Sequence, residues 1–470
     1  MPSNYAEYLI TAAGDAAASA GEAGAGAAKK LLLDAMACAA AAARAPGVGP
    51  LVDYARDRGG RAEASALVFG ERLPMAETAL VNAALIHAWD LDDALSDGCA
   101  PVHVTSVIVP TVLACGEARG GSGADALGAM IAGIEAFGRL ATVGRGRLRG
   151  PGFLPTSIFG GFAAVIAAGR LLGLTESRIV EAMGIQYARC SGNRQALLDH
   201  TLTKRLQPGF AARSAIESAL LAERGITGPR AVFEGEAGFF KLYLNGDVPD
   251  ADEWRADHGR PFVERVSTKR YPSCGACHHV QIAAERLVAT HDLKRGRIDR
   301  VSLINCDPAG IVTGPFEPGE HPSVAAQFSA EWAMARTLLR GPATLADYID
   351  DAVAGDAEVI ALANAIANGP PPDDVELPEP KAQGVMVHTT DGRRLVEWQA
   401  KSRTFPPGGT TWERTVEKFH QCVAFVSQGA GRDPGRVVDL VARLEAADDL
   451  RPLIEAMGWR ADHSERSHHV

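Results

Sequence analysis

GPGFLPTSIFGGFAAVIAAGRLLGLTESRIVEAMGIQYARCSGNRQALLDHTLTKRLQPGFAARSAIESALLAERGITGPRAVFEGEAGFFKLY, residues 150–243, decides how the rest of the chain is read. Most of it reads as small-residue helices with few ionisable side chains on their apolar faces. The exception is a tight polar insert, DHTLTKRLQP at 199–208. A Lys-Arg pair between two apolar helices costs free energy if it is buried without partners. The insert is therefore either a solvated turn or a device for holding an anion.

Composition bounds the classes of function. The 470 residues suffice for two or three domains and a large core. With 57 acidic against 47 basic side chains and no long basic run, nucleic acid is not an expected partner. Aromatic residues at 6% argue against a base-stacking surface as well. The apolar N-terminal runs are broken by Asp15, Glu22, Lys29 and Lys30, so neither a signal peptide nor a membrane span is expected. The eight cysteines are scattered, which in a chain of this size predicts reduced thiols and a cytoplasmic setting.

Along the chain, residues 1–48 are Ala-rich and predict two helices separated by the 21–26 glycine stretch, ended by Pro46-Gly47. Residues 74–89 predict a buried helix begun at Pro74, and it runs into Asp90-Leu91-Asp92-Asp93. Carboxylates at a helix C-terminus oppose its dipole. The reading is a solvated aspartate turn, or one in which a carboxylate points into a cleft. His103 then precedes a helix that Thr105 or Ser106 can cap, well placed to meet a bound carboxylate. Spacings of three and four predict a helix over 124–143; further helices follow at 162–172, 176–188 and 208–224. Character changes near 268. A strand at 301–306 and a hairpin at 385–398 turning on Asp391-Gly392 predict an α+β segment over 268–407. Helices return over 411–460. The fold class is mainly α, with a separate α+β segment between two helical stretches.

Cys274-x-x-Cys277 with His278 and His279 is half a zinc site at most, because no second ligand pair follows, and no metal is assigned. P-loop, dinucleotide and nucleophile-elbow patterns are absent from the sequence. What remains is dispersed: Asp90, His103, Lys204 and His278, near helix ends and a domain junction, where small-molecule sites form. Cations with histidines and an aspartate suit a polycarboxylate, whose carboxylates the cations hold while histidines move a proton.

At these residues the sequence resembles the MmgE/PrpD family, which includes 2-methylcitrate dehydratase, cis-aconitate decarboxylase and iminodisuccinate epimerase. The resemblance is carried by VNAALIHAWDLDD (81–93), HVTSVIVP (103–110), GFLPTSIFGGFAAVIAAGRLLGL (152–174), TKRLQPGFAARSAIESALLAERGITGP (203–229), FEGEAGFF (233–240) and KRYPSCGACHH (269–279). It implies a large all-helical domain built from both chain ends (1–267 and 408–470), a smaller α+β lid domain (268–407), a homodimer, and catalysis between the domains with no metal or organic cofactor. Asp90 matches the first carboxylate of the family's DxDD, His103 the histidine of HPS, Lys204 the lysine of the TKPLH-like segment. The lid histidine matches His278 or the adjacent His279. These are the expected catalytic residues, with Arg205, Lys269 and the pocket positions below binding substrate.

The chain also departs from that pattern. Leu154 and Gln207 stand where decarboxylase-like members carry histidines, Ala94 follows the carboxylates in place of Thr or Ser, and Trp332 takes the place of a lid tyrosine. The resemblance implies a lyase on a small di- or tricarboxylate, by dehydration or decarboxylation. The alternatives are an isomerase or epimerase sharing an enolate-like intermediate, and a non-catalytic dimeric relative.

Overall fold

Five helices form the centre of the protein in the computed structural model: Met75–His87, Thr105–Arg119, Gly123–Val143, Pro155–Leu171 and Thr203–Glu223. The structure describes residues 4–148, 152–256, 258–293, 295–306, 314–379, 382–400, 405, 409–426 and 433–459. Residues 150–151 of the opening stretch and the expected boundary at 407–408 lie outside them. The fold is mainly α, with small sheets and a lesser mixed α/β part.

Small residues let these helices approach closely. A Cβ on Gly138 would meet the Phe262 ring at 2.2 Å, and one on Gly209 would meet the Leu80 carbonyl oxygen at 2.7 Å. Gly123–Val143 has the length and apolar character of a membrane span, a feature the sequence reading did not register. In this fold 83% of its most apolar window is buried, and its neighbours are the Tyr5–Ser19 and Pro155–Leu171 helices. The Gly21–Ala41 helix packs against Met75–His87 on one side and Trp412–Val426 on the other, so residues from near both ends of the chain share one core.

Several boundaries differ from the sequence expectation. The first two helices, Tyr5–Ser19 and Gly21–Ala41, break at Ala20 and not across the glycines, because Gly24 and Gly26 are absorbed into the second. Pro155–Leu171 starts one turn and more before residue 162. Most consequentially, the helix expected from Pro208 starts at Thr203, with Pro208 inside its first turns. At this sixth helical position the proline costs the one hydrogen bond that an N–H would have made to the Lys204 carbonyl, close enough to the start for the helix to continue. The Lys-Arg pair is thereby helical and buried, Lys204 6% and Arg205 3% exposed, which rules out the solvated turn.

The second part of the chain builds a four-stranded sheet in the order Ala367–Gly369, Ile298–Ile304, Gln383–Thr389, Arg394–Gln399. The first pairing is parallel and the others antiparallel, and the expected hairpin turns at Gly392 with φ 86°. The Gly275–Thr290 helix covers this sheet and packs on Ala330–Arg340. A two-residue ladder, Asp93–Ala94 against Ser267–Thr268, brings the aspartate loop alongside the segment that opens this part. In that register Asp93 faces Thr268, so Lys269 follows directly beside the loop.

Candidate active site

The Met75–His87 helix is buried along its whole length and ends at His87. Asp90 then takes φ 49°, a left-handed conformation that Asp tolerates better than most residues. That reversal turns its carboxylate inward, to 1% exposure. Lys204 Nζ donates to its Oδ1, and Lys269 Nζ donates to its Oδ2 at 2.6 Å and to its backbone carbonyl at 2.9 Å. Burial would push the Asp90 carboxyl up, but the two ammonium groups outweigh it and hold it well below the usual carboxylate range. Lys269 answers in kind: burial favours its neutral form, yet Asp90 and Asp92 raise it.

The other two aspartates have different tasks. Asp92 Oδ2 accepts from His87 Nδ1 at 2.9 Å, and its Oδ1 lies 3.5 Å from His103 Nδ1. Burial opposes its ionisation, but the two histidines hold Asp92 below its ordinary range. The Asp93 carboxylate accepts the backbone N–H groups of Val104 and Thr105, each at 2.8 Å, and the Thr105 hydroxyl. It caps the Thr105–Arg119 helix from 12 residues upstream, where Thr105 or Ser106 was expected to do so. Burial and the neighbouring Asp92 push Asp93 up to about 7. Three carboxylates that fit badly at one helix end are thus distributed over two lysines, two histidines and the start of the next helix.

His103 lies against this group, its ring 4.8 Å from that of His87. Its Nδ1 lies 2.7 Å from the Asp93 carbonyl oxygen, so Nδ1 carries the hydrogen and Nε2 keeps a lone pair. Its backbone N–H is held by Thr156 Oγ1 at 3.1 Å. Burial, with Lys269 second, pulls the imidazole down to about 3, so it is neutral at working pH. His278, on the first turn of the Gly275–Thr290 helix, is 2% exposed and donates from Nε2 to the Tyr271 carbonyl at 3.2 Å. Burial, then Lys269 and His279, hold it well below the histidine range. His279 is buried beside it, with the Phe405 ring at 6.3 Å.

The remaining expected residues are placed as follows. Arg205 Nη1 donates to the Pro46 carbonyl at 2.7 Å, and burial lowers the guanidinium to about 10. Gln207 spends both ends of its amide on the backbone of Asn193, at 2.8 and 2.9 Å, and so pins that loop. Leu154 precedes the Pro155–Leu171 helix, and Ala94 lies in the short ladder opposite Ser267. Trp332 is 1% exposed and packs on Tyr348 with ring centroids 4.9 Å apart, a core position.

Sequence reasoning missed His87, whose Nε2 lies 2.7 Å from Lys204 Nζ, and Asp92 behind it. The signal was available: a histidine in the last turn of an otherwise apolar buried helix, three residues before Asp90. It also missed Lys418, whose Nζ donates to Asp34 at 2.6 Å and to the Leu91 and Lys269 carbonyls at 2.8 and 3.1 Å. A lysine on an amphipathic helix reads as a surface residue. Ligand atoms of His87, Asp90 and His103 fall within 4.8 Å of one another. Two ammonium groups already neutralise the one carboxylate of that trio, which opposes a divalent cation there. The expectation that assigned no metal to Cys274 and Cys277 rested on the missing second ligand pair; burial keeps both thiols protonated.

The chain is similar to proteins of known class over nearly its whole length. It is 29% identical over 458 residues to a cis-aconitate decarboxylase of Aspergillus terreus, covering 92% of this chain and 91% of that protein. It is 30% identical over 301 residues to the cis-aconitate decarboxylase of Homo sapiens, 60% of each chain. The family model of the MmgE/PrpD N-terminal domain matches residues 11–252, and that of the C-terminal domain matches 271–440. Lys204 and Asp90 fall in the first match and His278 in the second, and by both matches the chain belongs to the MmgE/PrpD family.

Proposed function

We propose that this chain is a lyase that removes carbon dioxide or water from a small di- or tricarboxylate, at the Asp90–Lys204–Lys269 cluster and without a cofactor. The observation that carries the reading is two buried lysine ammonium groups converging on one carboxylate, flanked by neutral histidines. Relatives named cis-aconitate decarboxylase support a lyase of this family. They make cis-aconitate the first substrate to test.

In this reading Lys204 and Lys269 bind substrate carboxylates and stabilise the enolate-like charge that develops as a bond to carbon breaks. In decarboxylation the C–C bond breaks, carbon dioxide leaves, and the electron pair enters the unsaturated carboxylate before a proton is returned to carbon. In dehydration a base removes the α-proton and an acid gives one to the departing hydroxyl. His103 and His278 fit the proton transfers, and Asp90 orients both lysines. An arriving anion opposes the burial and lysine effects that keep these histidines neutral. Substrate binding therefore shifts them toward the charged form, and binding itself favours loading of the proton donor.

Two measurements test this. Proton NMR in deuterium oxide with cis-aconitate, 2-methylcitrate and iminodisuccinate should show a new alkene or loss of carbon dioxide for one of them. Deuterium entering an α-carbon with no atoms lost would assign an isomerase instead. Calorimetric titration of a dicarboxylate near pH 7, in buffers of different ionisation enthalpy, should reveal net proton uptake. Proton release on binding would contradict the charging step.

A further inference from the structure

His87 and Asp92 play no part in the scheme above, yet both are buried, at 1% and 0% exposure, directly behind Lys204. A lysine ammonium has three N–H groups. Lys204 directs one at His87 Nε2, 2.7 Å away, and one at Asp90 Oδ1. Its Nζ also lies 4.9 Å from the centroid of the Phe328 ring, an apolar neighbour that favours the charged ammonium. The third N–H has no hydrogen-bond partner among the described residues and is left for a ligand.

That arrangement depends on a tautomer. His87 Nε2 accepts from Lys204 only if the imidazole hydrogen is on Nδ1, and Asp92 Oδ2, 2.9 Å from Nδ1, accepts it there. The opposite tautomer would aim an N–H at an ammonium group and leave Asp92 facing a lone pair. An imidazolium would do the first of these as well. A carboxylate that fixes the tautomer of a histidine in contact with a working group is a known device for orienting that group.

We propose that His87, held in its Nδ1–H tautomer by Asp92, is a positioning residue that aims the free N–H of Lys204 at a substrate carboxylate. The proposal rests on the lyase reading only for the identity of that substrate; the tautomer and the aim of Lys204 are properties of the unliganded protein. The neighbours facing His87 are consistent with it. Asp90 and Asp92 are the anions, Lys204 the cation, and His103 the edge-on ring at 4.8 Å. Burial, the largest influence, keeps His87 below the ordinary histidine range and hence uncharged.

The test has a spectroscopic and a kinetic arm. In protein labelled with 15N-histidine, the His87 signals are assigned by their loss in His87→Gln. At pH 7 they should show a protonated Nδ1 and an unprotonated Nε2, and Asp92→Asn should abolish that preference. Asp92→Asn and His87→Leu should lower kcat at least about tenfold while KM stays within about threefold. His87→Gln, whose amide can both accept from Lys204 and donate to Asp92, should recover most of kcat. A wild-type His87 that is doubly protonated, or protonated on Nε2, overturns the proposal. So does a folded Asp92→Asn protein with unchanged kcat, or a His87→Gln variant no better than His87→Leu. If no carboxylate is turned over by the wild type, the lyase reading fails while the tautomer spectrum still decides this one.

Discussion

At the scale of single residues, the site rests on one carboxylate shared by two ammonium groups. Removing a member of a buried ion cluster leaves uncompensated charge, which costs more than the cluster contributes. Asp90→Asn keeps a side chain that tolerates the left-handed backbone and so isolates the charge. It should destabilise the protein by about 3–5 kcal/mol, read by chemical denaturation, because two buried lysines lose the carboxylate they share. Lys204→Ala should lower turnover by at least about a hundredfold. It should also reduce the melting temperature, since Asp90 would keep Lys269 alone. An unchanged melting temperature would mean water reaches the site and screens it.

His103 allows a pH prediction. Its folded value, about 3, lies below the ordinary histidine value near 6.5. The unfolded chain therefore binds the proton first as pH falls, and stability is lost from about pH 6.5 downward. One such histidine accounts for up to about 2 kcal/mol of that loss at pH 5. His103→Gln should accordingly lose less melting temperature than the wild type between pH 7 and pH 5. An equal loss in both would assign the acid sensitivity to other groups.

At the scale of elements, close helix contacts set where the site residues stand. Gly138 on the Gly123–Val143 helix leaves room for the Phe262 ring, which a Cβ would approach to 2.2 Å. Phe262 lies a few residues before the Ser267–Thr268 strand that aligns Lys269 with the aspartate loop. Gly138→Ala should therefore cost about 1–3 kcal/mol by thermal unfolding, as overpacked cores do. Gly128, on the same helix, has nothing within 4 Å of a Cβ, and Gly128→Ala should be neutral or slightly stabilising.

At the scale of the whole molecule, Lys418 ties together parts of the chain that are hundreds of residues apart. Its ammonium group joins Asp34 on the Gly21–Ala41 helix to the carbonyls of Leu91 and Lys269. Asp34 outweighs the effect of burial and raises the Lys418 amine above the ordinary lysine range. It thereby fixes both backbone segments that carry Asp90 and its second lysine. Lys418→Met should reduce kcat and stability together without touching substrate directly. A variant that loses stability but turns over normally would limit Lys418 to the core.

The sequence by itself determined the fold class, the family and four of the residues around Asp90. The fold class and the candidate residues rest on local signals, namely apolar periodicity, helix stops and an ionisable side chain where its neighbours are apolar; the family rests on the motifs such as 81–93, 203–229 and 269–279 that the chain shares with it. It left open whether the Lys-Arg pair was a solvated turn, because the preference of proline for the first helical position pointed to a start at Pro208, while the helix begins at Thr203. It gave no reason to pair Lys204 with His87, or Lys418 with Leu91, since those partners are 117 and 327 residues apart. Only tertiary structure decided which charges face each other. In a buried site those pairings, and not the residue types alone, set which groups are charged and which way a proton points.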